Sequence, residues 1–220
     1  VSAAVTLGFL YDRQGGSALA TRAFLIACYL VTVPSLIYPR LYAIFGGIEP
    51  RAHAWQLFTA VFEHGWPGFP GALHLLLNTV LILECGVACE RLLGTRRFVA
   101  LSVAAAIANA GTQLAAEGAN GSSLVIWAWG PPLMLAMIEA RRLDPAVTSR
   151  PAYARARAIL LIMYVGVTLA MPLIPFLLGW RGNPLVALLL ANQYHLVAAI
   201  VGGIFALLYR GRIRQRAAGG

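Results

Sequence analysis

The sequence has no lysine; all 17 of its basic residues are arginine, which we read as a coding bias rather than a chemical requirement. Charge of either sign is scarce. Only 11% of the 220 residues are charged, against about 25% in a soluble domain, and eight are acidic. That shortage excludes an ordinary water-solvated surface over most of the chain. Cysteine is scarce too. Cys28, Cys85 and Cys89 are odd in number and all lie in apolar runs, which excludes a disulfide framework. Cys85 and Cys89 stand one helical turn apart with no His or Cys pair beside them, so they are expected to pack as small apolar residues, with no metal and no cofactor. No internal repeat, separate soluble domain or cleavable signal peptide is expected from these residues.

What fills the chain instead is hydrocarbon. Hydrophobic residues make up 60% of it, and the mean hydropathy is +0.74. A spanning helix needs about 20 apolar residues. Six such stretches are predicted, near 23–42, 71–89, 98–116, 120–138, 158–178 and 184–209. The expected organisation is a cytoplasmic segment 1–22, a six-helix membrane domain 23–209 and a basic, frayed tail 210–220. Pro34 and Pro39 are expected to kink or end the first span, and Gly130-Pro131-Pro132 the fourth. The connection 46–70 is rich in aromatic residues, and its centre is amphipathic, as in a segment lying in the membrane interface. The segment 139–157 reads as a solvent loop.

Alternating spans sort the charges by side. Fourteen arginines and four carboxylates fall on the side that holds both termini, whereas three of each fall on the other. This is the positive-inside pattern for cytoplasmic termini in a bacterial inner membrane. It accounts for the basic excess without nucleic acid, and no stacking aromatics accompany the arginines.

Polar residues inside apolar spans are costly and mark function or helix pairing. His74 and Asn78 share a face at the start of the second span, by their i,i+4 spacing. The fourth opens with Gly118-Ala119-Asn120-Gly121-Ser122-Ser123, and the sixth carries Asn192-Gln193-Tyr194-His195 and then Gly202-Gly203. Glu84 sits alone in the second. His53 and His64, in the first connection, read as surface or interfacial residues.

In order along the chain, Trp55-Gln56-Leu57-Phe58-Thr59 to His64-Gly65, His74 with Asn78, Glu90 to Gly94-Thr95-Arg96-Arg97-Phe98, and Asn192 to His195 resemble the motifs of the rhomboid intramembrane serine proteases. The resemblance covers most of the chain and implies an all-α, six-span bundle. It implies a serine at the start of the fourth helix paired with a histidine on the sixth, and oxyanion donors on the second. Carried over, His195 is the base, and His74 and Asn78 form the oxyanion side. The family's G-x-S-G falls on Gly118-Ala119-Asn120-Gly121, so Asn120 takes the nucleophile's place. An amide nitrogen, its lone pair delocalised, is not activated by imidazole as a hydroxyl is.

Further departures are Tyr194, where the family has a small alanine, and Ala198, where it has a glycine; Tyr194 is expected to crowd the contact between the fourth and sixth helices. The expected function is therefore a pseudoprotease that binds transmembrane helices of client proteins without cutting them. One alternative is an accessory structural subunit of a larger membrane complex. Another is an active intramembrane serine endopeptidase in which Gly121-Ser122-Ser123 supplies the G-x-S and Ser123 is the nucleophile. Otherwise Ser122 and Ser123 are helix-interface packing. Expected partners are membrane lipids and transmembrane segments.

Overall fold

A computed structural model describes residues 18–46, 54–64, 69–115, 121–170 and 183–218. The described residues form helices and turns. The first rod is α1 (Leu19–Ile37), followed by a short α2 (Pro39–Phe45). Tyr38 separates them at φ −118°, because the residue before a proline is driven out of the helical region. Pro34 is carried inside α1, whereas Pro39 opens α2. A single turn, α3 (Gln56–Thr59), comes next.

The second rod joins α4 (Phe69–Leu81) to α5 (Val87–Leu93) through a π-helical turn, Ile82–Gly86. The third is α6 (Thr95–Ala115) and the fourth α7 (Ser123–Leu143). The fifth joins α8 (Pro151–Leu161), a second π turn (Ile162–Val167) and α9 (Thr168–Ala170). The sixth is α10 (Pro184–Leu208), and α11 (Arg210–Ala218) leaves it at a 73° bend. By length and hydropathy alone, Leu19–Ile37, Phe69–Leu93 and Ser123–Leu143 can cross a membrane, and the bent pair makes a fourth candidate.

The first helix is polar inside and apolar outside. On α1 the buried residues are Thr21, Cys28, Thr32 and Ser35, while Leu19, Ile26, Leu30 and Ile37 are exposed. In lipid, exposing leucine costs nothing, and small or hydroxylated residues let helices approach. The α7 helix is the hub, buried on almost every side from Leu124 to Gly130.

Two glutamates close the arginine-rich end. The buried Glu90 carboxylate accepts the Ala20 and Thr21 amides (3.1 and 2.8 Å) and the Thr21 and Thr95 hydroxyls (both 2.8 Å). It thus caps the free amides of α1 and anchors the start of α6. Gly94, at φ 81°, returns its amide to the Glu90 carbonyl (2.7 Å) and ends α5. Glu139 receives Arg142 and Arg210 (both 3.2 Å), with Arg214 at 3.9 Å. Glu84, whose role the sequence left open, meets Arg155 at 3.1 Å.

Four expectations are corrected. The fourth span neither ends nor breaks at Pro131-Pro132 but runs on to Leu143. Pro131 has no N–H for the Trp127 carbonyl four residues back, and the Tyr164 hydroxyl donates to that carbonyl instead. The segment 139–157 is not all loop, because α8 starts at Pro151, a residue suited to a helix's first turn. The tail is not frayed over 210–218: it is a helix anchored by fully buried Ile213 and by Arg210 and Arg214 at Glu139. Tyr194 is itself buried without parting the helices. Gly202 lies so close to the Ala128 backbone that a Cβ there would fall 2.9 Å from the Ala128 Cα.

Candidate functional site

The site assembles around the start of α7. Gly121 precedes it at φ 109°, a conformation open to glycine, and gives its amide to the Ala60 carbonyl (2.8 Å). A Cβ on Gly121 would lie 2.7 Å from His74 Cε1, 3.0 Å from His74 Nε2 and 3.6 Å from Asn78 Nδ2. The chain therefore turns into α7 directly against the face that His74 and Asn78 share. Asn78 is buried, and its Nδ2 has no hydrogen-bond partner among the described residues. A buried, unpaired amide donor carries a desolvation cost unless something is meant to meet it.

Ser122 is fully buried and meets His64. Its hydroxyl lies 2.8 Å from His64 Nε2, and its amide donates to the same nitrogen at 3.2 Å. An acceptor of an amide N–H carries no proton, so His64 is protonated on Nδ1. That nitrogen lies 3.0 Å from Thr32 Oγ1, whose own hydrogen goes to the Phe62 carbonyl (2.8 Å). The His64 ring meets His74 edge to face at 5.3 Å between centroids. In the connection before α4, burial and then the nearby His74 push the His64 imidazole down to about 3, so it is neutral. Burial pushes the neighbouring Glu63 carboxyl up to about 7. Glu63 Oε1 accepts the His64 amide (3.1 Å).

This corrects the reading of His64 as a surface or interfacial residue. The available signal was its place ten residues before His74 in the tryptophan-to-histidine run, where His64 and Ser122 would have had to be considered together. His53 and Asn120 lie outside the described residues, as do Gly118 and Ala119.

On the other side of α7, His195 is buried and lies flat on Trp127, with 4.4 Å between ring centroids and 9° between planes. Its Nδ1 is 3.5 Å from Asn192 Oδ1, and Asn192 Nδ2 donates to the Thr168 carbonyl (3.0 Å). Ser123 is the first residue of α7 and stands four before Trp127, so the two share a helix face. Helical side chains lean toward the N-terminus, which sets the Trp127–His195 stack over the turn that Ser123 begins. Asn109 Nδ2 holds the Leu124 carbonyl (2.6 Å) from α6, fixing that turn. No hydrogen bond joins Ser123 to His195 among the described residues. Nor do any three His, Cys, Asp or Glu side chains there form a group that could hold a metal ion.

The family model of the Rhomboid domain matches residues 51–212. That span holds the Ala60–Gly121 link, the His64 network, the His74–Asn78 face and the Trp127–His195 stack. No curated protein and no solved structure matches the chain.

Proposed function

The chain belongs to the rhomboid family, and we propose that it is an intramembrane serine endopeptidase with Ser123 as nucleophile and His195 as base. The observation that carries this reading is the fit of Gly121 against His74 and Asn78. It favours Gly121-Ser122-Ser123 as the family's G-x-S, in place of the register that puts Asn120 at the nucleophile. The Trp127–His195 stack, one turn further along α7, supports the same register.

In this mechanism the Ser123 hydroxyl attacks the scissile carbonyl of a transmembrane segment, and His195 takes its proton. Charge develops on the carbonyl oxygen, and the Asn78 amide and His74 ring donate to it. His195 then protonates the departing amine. Water, activated by the same imidazole, releases the acyl group and restores Ser123. A missing Ser123–His195 hydrogen bond in the free enzyme does not oppose this, because such contacts often tighten only when substrate binds. Positive-inside asymmetry supports cytoplasmic termini, with the site toward the opposite leaflet.

The absence of that hydrogen bond also supports a second reading, a pseudoprotease that holds transmembrane clients or partner subunits uncut. The deciding experiment is labelling of the purified chain with a fluorophosphonate, together with cleavage of a model transmembrane substrate in vesicles. The protease reading expects labelling and cleavage in the wild type and in Ser122→Ala, and neither in Ser123→Ala or His195→Ala. A folded wild type that neither labels nor cuts leaves the pseudoprotease reading. Labelling that survives Ser123→Ala sinks the proposed register.

A further inference from the structure

At the arginine-rich end, three elements bring cations together with no counterion among the described residues. Arg212 on α11 lies against the turn between α5 and α6, where a Cβ on Gly94 would be 3.6 Å from its Nη2. Its nearest like charges are Arg97, on the first turn of α6, and Arg216, one turn along α11. The Arg97 guanidinium sits 5.4 Å from the centre of the Tyr209 ring. Arg91 lies on the last turn of α5, the helix that leads into the Gly94 turn.

The carboxylates of these elements are committed elsewhere. Glu90 is taken by Ala20, Thr21 and Thr95, and Glu139 by Arg142, Arg210 and Arg214. Among the described residues, no ion pair reaches Arg91, Arg97, Arg212 or Arg216. Moreover, the Nε atoms of Arg91 and Arg212 are buried and have no hydrogen-bond partner among the described residues. Buried guanidinium N–H groups that meet no acceptor are costly. Burial, and then the repulsion of Arg97 and Arg216, lower the pKa of Arg212. The positive end of α6, 21 residues long, adds to the same field.

We propose that Arg97, Arg212 and Arg216 form a binding site for a phosphoryl anion, supplied in the membrane by the headgroup of an anionic phospholipid. Guanidinium forks match phosphate oxygens in pairs, and basic pockets between helices at the cytoplasmic surface hold such headgroups. Because α11 bends away from α10 by 73°, a headgroup bound here bridges α11 to the α5–α6 turn. The site is independent of the catalytic reading.

The test is native mass spectrometry of the full chain released from detergent micelles containing phosphatidylglycerol or phosphatidylcholine. A parallel arm follows thermal unfolding in detergent with inorganic phosphate alone. The wild type is expected to retain phosphatidylglycerol over phosphatidylcholine. Arg97→Gln/Arg212→Gln should weaken that retention on the order of tenfold, and Arg216→Gln should do so less. Arg141→Gln/Arg157→Gln, which removes equal charge from exposed positions, should retain the lipid as the wild type does. Stabilisation by phosphate alone would support the same site with a soluble source of the anion. Equal retention of both lipids by the wild type, with no effect of phosphate, overturns the proposal. So does equal loss in the two double variants. A cluster variant that fails to unfold cooperatively in phosphatidylcholine is set aside, and Arg216→Gln alone then decides by whether retention falls.

Discussion

Trp127 and His195 lie face to face, 4.4 Å between ring centroids and 9° from parallel, and join α7 to α10 beneath the turn that starts at Ser123. The stack fixes the imidazole plane and, on the proposed protease reading, the direction in which the base nitrogen points. Trp127→Ala should lower kcat about tenfold with little change in KM, in line with roughly 0.5–1.5 kcal/mol for such a ring pair. Trp127→Tyr should recover most of the loss. A Trp127→Ala enzyme as active as wild type would remove the stack from the mechanism.

Asn78 offers a separation of function from folding. Its Nδ2 bonds nothing among the described residues, so no described hydrogen bond is lost with it. Asn78→Ala should therefore unfold at nearly the wild-type temperature yet lose about 10²–10³-fold in kcat, as expected for an oxyanion donor. A large drop in thermal midpoint with normal turnover would make Asn78 a packing residue instead.

Buried Glu63 and His64 give stability an opposing pH dependence. The Glu63 carboxyl, raised from its ordinary 4.5 to about 7, favours folding while protonated. Its contribution is full below about 4.5 and is lost as pH rises to about 7 and beyond. His64, lowered from 6.5 to about 3, favours folding while neutral. Its contribution is full above about 6.5 and falls away as pH drops toward 3. Glu63→Gln should remove the first effect, so the variant should gain thermal midpoint over wild type near pH 8 and match it near pH 4. Midpoints that track each other across that range would count against the Glu63 assignment.

Glu90 caps one helix and anchors another. Glu90→Ala leaves the Ala20 and Thr21 amides without an acceptor in a buried place and should cost on the order of 3 kcal/mol. Denaturant or thermal unfolding in micelles reads this directly. A loss within experimental error would mean that water replaces the carboxylate.

These cases also show what the sequence made legible. The six rods could be read from hydropathy, since lipid imposes long apolar runs. His74, Asn78 and His195 could be read because polar residues in such runs are rare enough to be noticed. The Glu90-to-Gly94 run was visible as a motif, but its task depends on where α1 begins, which no local pattern records. His64 looked superficial because its connection is long, aromatic and broken by glycine and proline. Its burial follows from contacts with Thr32 and Ser122, which are 32 and 58 residues away. Asn120 lies outside the described residues, and the close fit of Gly121 against His74 and Asn78 depends on a backbone angle that composition does not encode. Pro131-Pro132 looked like a stop because the rule for proline counts only a helix's own hydrogen bonds.

That last point bears on how the protein is made. The fourth rod is continuous at Pro131 because the Tyr164 hydroxyl, from the fifth, satisfies the Trp127 carbonyl. At its moment of synthesis, Tyr164 is still some thirty residues from emerging, and the fourth segment meets lipid with an exposed polar backbone group. The two segments are then best delivered to the bilayer together, as a hairpin, rather than one after the other. Biogenesis of this bundle would thus be paired at its centre, with the insertion machinery holding the first arm until the second arrives.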